Sequence, residues 1–401
     1  MKILLAITQF LQRLFCLLFA LTLILVSLCL RGFLIIAFCR IDWQIGHLIS
    51  MIHSNETRNI EWNKRHKRKK LTIYCVSGPK ANFYLIKKLR EHVYLISGRL
   101  ASMLNFLSRG FPLICIYNSN DANFRNYTDA NSLVTFTKDE DAHGEAFLAR
   151  NRRGFVCLNV RDSGYNSMIR SEFNLNAKNW PQRNSDIETY LDACCVLTSR
   201  ETAIYRMGIQ VEKKFGSKDS LILDYATNGS RSEFLDLYLG AKCRFAISTS
   251  SGWDEIPFMF SRPVLLSNCA DFLKVSNLTA NCLIFPKIFF SSTTKTILGF
   301  EEIMDLFQYG IRFLNSENLE SLGVEIRDMS SEELVEAVTE MAQRVEGTFV
   351  ETPEQKVMQA KLKHILSTHP KLQPSLNYYP IRAQFASCFL SRYPNFLDGL
   401  D

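Results

Sequence analysis

Between Arg13 and Arg31 the chain runs LFCLLFALTLILVSLCL without a charge, and GFLIIAFC carries the apolar run on to Cys39. A stretch of that length reaches across a bilayer or nearly so. An in-plane or re-entrant anchor is the alternative, and a buried core helix fits so uninterrupted a run less well. A cleaved signal peptide also fits less well, because arginines bracket the run and no small-x-small site follows it cleanly. Beyond residue 40 the pattern changes. Short apolar runs bounded by turn residues (LTIYCVSG at 71–78, FPLICIY at 111–117, FVCLNV at 155–160, AIYRMG at 203–208, LILDYA at 221–226, RFAIS at 244–248, PVLLSNC at 263–269) alternate with segments of helical period such as FYLIKKLRE and SEFLDLYLGAKC.

That alternation predicts an α/β fold with parallel sheets. The boundaries it suggests are a membrane anchor over 1–40, a first α/β domain over 41–150, a second over 151–330, and closing helices over 331–401. Helix starts are marked by capping-box pairs: Thr137 with Glu140, Ser185 with Glu188, Ser230 with Glu233, Ser330 with Glu333, and Thr352 with Gln355, the last with Pro353 at the first helical position. The aromatic stretch 383–397 reads as packing rather than a ligand box.

Composition narrows the class. A chain of 401 residues with 47% hydrophobic content supports two cores. The net charge of +7 is modest, but Arg58, Lys64, Arg65 and the run Lys67, Arg68, Lys69, Lys70 are crowded together. With no zinc-finger spacing and no basic helix interleaved with aromatics, nucleic acid is a poor partner for them and anionic lipid head groups a better one. The cations lie mostly on the C-terminal side of the apolar run, which places the rest of the chain in the cytoplasm by the positive-inside rule. The 12 cysteines are scattered without a CxxC pair, against both a zinc site and a disulfide framework.

The stretch 244–263, RFAISTSSGWDEIPFMFSRP, reads as strand, small-residue turn and helix start. Ser250, Ser251 and Gly252 offer hydroxyls and N–H groups to an anion, and Glu255 in the first helical turn can accept hydrogen bonds from ribose hydroxyls. A capped helix in an α/β core is the competing reading. Arg161 and Asp162 follow the strand FVCLNV directly, Arg206 and Gly208 end another strand, Asp224 ends a third, and Lys287 closes the run Ile284-Phe285-Pro286. Ligands bind at such carboxyl ends in open α/β sheets. The Asp-x-Asp in KDEDAH (138–143) is explained by its capping box. Asp139, Asp141 and His143 as metal ligands are the less favoured reading, so no metal is expected.

Taken in order, CLNVRDSGY, the RNSDI helix start at 183–187, YRMG, LDYA, SEFLDLYLGAKCRF and STSSG followed by IPFMFSRPVLL resemble a family of bacterial GT-B-like glycosyltransferases associated with surface carbohydrate biosynthesis. The resemblance spans about residues 41–400. It implies two facing Rossmann-like domains, with a nucleotide-sugar donor in the C-terminal one and acceptor contacts mostly from the N-terminal one. No cofactor is implied besides the donor itself. Carried over, Arg161, Asp162, Arg206, Gly208, Asp224, Ser250, Ser251 and Gly252 line the donor side, and Gly46 with His47 faces the cleft from the other domain.

The expected activity is transfer of a sugar from a nucleotide-sugar to a lipid-linked or growing glycan at the cytoplasmic face of a membrane. Departure of a nucleotide diphosphate calls for cationic or N–H-rich groups, here Arg161, Arg206 and the turn. The acceptor hydroxyl calls for a base, either Asp162 or His47, the latter preferred for its near-neutral pKa, although a structural histidine is an equal reading. Two other functions stay open. One is an epimerase or hydrolase of nucleotide-sugars on the same fold, and the other a non-catalytic scaffold that binds a nucleotide or glycan.

Overall fold

The computed structural model describes the chain apart from residues 1, 31–33, 40–43, 67–70, 77–80, 109–131, 149–153, 175–179, 271, 273–280, 309–315, 371–382 and 399–401. The strand expected at 111–117, Gly78 and the cations at 67–70 lie outside the described residues. The chain divides into two compact units, 1–135 and 136–401. The division falls some fifteen residues before the expected boundary at 150, because the helix capped by Thr137 belongs to the second unit.

The first unit contains α1 (Lys2–Cys29), β1 (Leu34–Cys39), α2 (Ile45–His66), β2 (Leu71–Val76), α3 (Phe83–Leu89), β3 (Tyr94–Ser97) and α4 (Arg99–Ser108). Its three strands pair in parallel in the order β1-β2-β3. One expectation is corrected here: the end of the apolar run, LIIAFC, is not part of the anchor but strand β1. Both faces of the strand are covered, and that situation selects a short apolar run without alternation. Ile36 and Phe38 stand on the face covered by Ala20 and Ile24 of α1 and by Ala101 and Leu104 of α4. Tyr74, on the alternate face, donates from its hydroxyl to Glu56 of α2 (2.7 Å), and Asn59 of α2 donates to Thr72 (2.9 Å).

The second unit opens with α5 (Lys138–Leu148), followed by β4 (Phe155–Asn159), α6 (Gly164–Phe173), α7 (Leu191–Thr198), β5 (Ala203–Arg206), β6 (Ile222–Leu223), α8 (Glu233–Lys242), β7 (Ala246–Ser248), α9 (Glu255–Met259), β8 (Val264–Cys269) and β9 (Cys282–Pro286). After these come β10 (Ile288–Ser291), α10 (Phe300–Gln308), α11 (Ser316–Ser321), β11 (Val324–Arg327), α12 (Ser331–Glu346), α13 (Pro353–Thr368), β12 (Gln384–Phe385) and α14 (Ser387–Arg392). Seven strands form one parallel sheet in the order β12-β9-β8-β7-β4-β5-β6, while β10 and β11 make a separate antiparallel pair. Counted along this unit the order is 3-2-1-4-5-6-7, the doubly wound arrangement. Connections run one way from β4 and the other way from β7, so the switch point lies between those two strands, the place where open α/β sheets take ligands at the carboxyl ends of their strands.

Local signals explain most element starts. The Ser330/Glu333 and Thr352/Gln355 boxes are formed, and α12 ends on Gly347 at φ 71°, a left-handed position that costs glycine nothing. Two other starts are displaced. Asp186, not Ser185, caps the 3₁₀ turn Ile187–Tyr190, and Ser232, not Ser230, caps α8. The expected final helix instead begins as β12, and its aromatics pack, with Phe389 5.0 Å from Phe396 and 5.1 Å from Phe285 between ring centres.

Candidate functional site

The switch point is built by the turn after β4 and the turn after β7, which are laced together. The Arg161 N–H donates to Thr249 Oγ1 (2.8 Å), the Thr249 N–H to the Asn159 carbonyl (3.2 Å), and Asn159 Nδ2 to Ser251 Oγ (2.5 Å). A third segment joins them: the Ser185 N–H donates to the Arg161 carbonyl (3.0 Å), and Arg183 Nη2 to the Ser250 carbonyl (2.6 Å). Asn184 is the hub. Its side-chain oxygen accepts from Arg161 Nε (3.2 Å) and its carbonyl from Lys287 Nζ (2.6 Å), which also meets Asp328 (2.5 Å).

Three cations therefore crowd one crevice. Burial pushes the Arg161 guanidinium down to about 9, and repulsion from Arg183 adds to this, against a weaker pull from Asp162. Lys287, only 3% exposed, is also held below its usual value by burial, with Asp328 opposing and Arg161 adding to the depression. Charges crowded at such cost are relieved by an anion.

The turn 248–252 is a cradle in place but a different one in detail. Asp254 fills its centre, taking hydrogen bonds from the Ser251 N–H (2.7 Å), Ser251 Oγ (3.1 Å) and Ser248 Oγ. The competing reading, a capped helix, thus accounts for Ser248 and Ser251. Ser250, at φ 57°, turns the chain through a left-handed conformation and stays partly exposed, and Gly252 is exposed. Both positions are therefore accessible at the surface of the turn. Glu255 is only 2% exposed, so it is packed inside the first turn of α9 rather than presented to a ribose.

The other expected donor residues form a framework around the buried Arg206 of β5, joined by Asp162 from the turn after β4. Arg206 is completely buried; its Nη1 donates to Asp224 (3.2 Å) and its Nη2 lies 3.9 Å from Asp162, while Nε and Nη2 find no hydrogen-bond partner among the described residues. Asp162 accepts from the Gly164 N–H and the Glu212 N–H, one on each oxygen (2.9 Å each). Asp224 likewise accepts from the Phe215 N–H (2.9 Å) and Thr227 Oγ1 (2.5 Å). These bonds tie the loops at 162–164, 212–215 and 224–227 in place. Gly208 is required for space, since a Cβ there would stand 2.6 Å from Val211 Cγ1.

Of the residues singled out from sequence, Arg161, Ser250, Ser251, Gly252 and Lys287 come together, Arg206, Gly208, Asp162 and Asp224 support them, and Glu255 is buried. His47 stands half-buried in the first turn of α2, in the other unit. Arg183 and Asn184 were legible only as part of a helix start, yet they complete the site. In KDEDAH both arms of the capping box form, with Thr137 N–H to Glu140 at 2.8 Å and Glu140 N–H to Thr137 Oγ1 at 3.3 Å, and Asp141 pairs with Lys242 (2.8 Å). Among the described residues no group of three His, Cys, Asp or Glu side chains is arranged to hold a metal ion. Compared with protein-family models, curated proteins and solved structures, the chain matches none of them.

Proposed function

We propose that the second unit binds the diphosphate of a nucleotide-sugar and that the chain transfers the sugar to a lipid-linked or growing glycan. The observation that carries this reading is the convergence of Arg161, Arg183 and Lys287 at the switch point of a doubly wound sheet. As the glycosidic bond to the donor breaks, charge accumulates on the leaving diphosphate. Fixed cations in a crevice shielded from water stabilise that charge without reorganising. On this reading the backbone of the accessible turn at Ser250 and Gly252 adds N–H donors at the same place.

On this reading each parallel sheet belongs to one Rossmann-like half of a GT-B-like enzyme, with the donor in the second unit and the acceptor side in the first. Asp162 is assigned to positioning, because both its oxygens are already bonded to backbone N–H groups. His47 is the base that takes the acceptor hydroxyl proton. The excess of Lys and Arg following α1 supports a place for the catalytic part at an anionic, cytoplasmic membrane face.

Calorimetric titration of the full chain with UDP, GDP, CDP, ADP and dTDP tests the donor site. Saturable binding of one nucleotide is expected, weakened at least tenfold in Arg183→Ala and unchanged in His47→Ala, whereas transfer to acceptor is lost in both. Absence of binding to a well-folded protein removes the reading.

A further inference from the structure

The first unit carries a feature that sugar transfer does not use. The stretch Phe10–Cys29 has a mean hydropathy of 2.2, yet only 17% of its most apolar window is buried. Burial on α1 follows the helical period. Ala20, Ile24 and Ser27 lie on one face, the first two inside the sheet core and Ser27 donating to the Leu34 carbonyl (3.3 Å). Leu11, Phe15, Leu18, Leu25 and Val26 fall on the opposite face at 3.6 residues per turn and are exposed, Phe15 by 69% and Leu25 by 61%. From Leu14 onward the helix is therefore largely apolar on both sides, with one side packed on the sheet core and the other exposed.

Docking decides how such a helix meets lipid. By length, the 20 residues of the apolar stretch reach about 30 Å, enough to cross a hydrocarbon core. The second half of that stretch, however, is covered by a three-stranded sheet with β1 at its edge. Among the described residues no strand pairs with the outer edge of β1, and crossing would carry that edge into hydrocarbon, where unpaired backbone groups are not tolerated. The stretch of α1 ahead of Ala20, Phe10 to Phe19, spans only about 15 Å and contains Arg13.

Charge identifies the surface. The first unit contains eighteen Lys and Arg against six Asp and Glu, a net charge of +12, whereas the second unit carries −5. Arg99 sits directly beside the bare stripe, donating to Gln12 (2.9 Å) and lining one groove with Leu11, Phe15 and Cys16. An apolar stripe bordered by Arg99 on a strongly basic unit matches the boundary between anionic head groups and acyl chains.

We propose that α1 lies in the plane of an anionic membrane surface with its bare stripe in the acyl chains, and does not cross the bilayer. Both ends of the chain then remain on one side. The test uses the full chain, tagged at both termini and incorporated by detergent dilution into phosphatidylcholine vesicles containing about a third phosphatidylglycerol. The protein is expected to float with the vesicles, and external protease should remove both tags. The triple variant L11D/F15D/L18D should float at least tenfold less with its near-UV spectrum unchanged, and R13E/R99E several-fold less. Protection of the N-terminal tag alone in a substantial fraction would mean a crossing helix and overturn the proposal. So would failure of the wild type to float, or a triple variant that still floats but changes from dimer to monomer, which would assign the stripe to a second copy of the chain.

Discussion

The two units place their charge in opposite ways. The first has a net charge of +12, and its described strands carry apolar side chains, with Thr72, Tyr94, Tyr74 and Ser97 as the polar exceptions. The second is net negative, yet at the carboxyl ends of its strands Arg161, Arg183 and Lys287 are gathered around Asn184. Counting charge along the chain sends a search for an anion site to the first unit, and burial sends it to the second. Diffuse surface charge suits a broad, weakly specific partner such as a lipid surface. A few desolvated cations in a crevice suit a small anion of defined shape. The difference is one of dielectric more than of sign.

The sharpest way to break this comparison is to attack the framework beneath the crevice. Arg206 lies wholly inside the second unit between Asp224 and Asp162. Arg206→Met leaves two carboxylates without their cation and should cost ~3–5 kcal/mol, read by urea unfolding. If the cost comes from uncompensated charge rather than lost packing, adding Asp162→Asn and Asp224→Asn should recover a good part of it. Breaking a buried ion pair is costlier than replacing it altogether. A loss below ~1 kcal/mol for the single variant would mean that the framework is solvated and the crevice not pre-formed.

A second contrast is in pH. In the first unit His53 is 1% exposed and burial lowers its pKa from 6.5 to about 4. The unfolded chain then binds more protons between these values, so this contribution is present above pH 6.5 and is lost as pH falls toward 4. In the second unit Asp236 is 5% exposed, and burial raises its pKa from 3.8 to about 6 against the opposing Arg231. Here the folded state binds more protons, so acidification from 6 toward 4 stabilises. Each span amounts to at most ~3 kcal/mol. Glu56, raised by burial, offsets part of the His53 effect in the first unit. Hydrogen exchange between pH 6.5 and 4.5, corrected for intrinsic rates, should show protection falling in α2 and rising in α8, and the same sign in both would refute the contrast.

Much of the second unit was legible because both-face burial leaves an unmistakable mark. FVCL, AIY, FAI and PVLL are continuous apolar runs, and each became a strand of the parallel sheet. Capping boxes were legible at Thr137 and Thr352, where one hydroxyl stood alone, and at Ser330. They slipped by one or two residues where a second Ser or Asp stood beside it, at Asp186 and Ser232. LIIAFC merged with α1 because an apolar run carries no period to separate strand from helix. Arg183 and Asn184 stayed hidden for another reason. They lie more than twenty residues from Arg161, and only the fold of the intervening chain, with α6 and a 3₁₀ turn at Pro181–Arg183, brings Asn184 within 3.2 Å of its guanidinium.

The smallest effect is the most diagnostic of what the crevice is for. Arg161 keeps its charge at neutral pH although burial and Arg183 pull its pKa down to about 9 from 12.5. Being charged in both states there, it makes the fold carry a cost that deprotonation above pH 9 would remove, so its contribution to stability improves as pH rises from 9 toward 12.5. Arg161→Met should raise the stability of the ligand-free protein by about 1 kcal/mol, the relief being reduced because Asn184 Oδ1 loses its donor. The same variant should bind nucleotide diphosphate at least tenfold more weakly. Exposed Arg99→Met in the first unit should shift stability by less than about 0.5 kcal/mol and leave nucleotide affinity unchanged. Denaturant unfolding and calorimetry on this pair decide the matter. A destabilised Arg161→Met with intact affinity would make Arg161 a structural residue and move the centre of the anion site to Arg183 and Lys287.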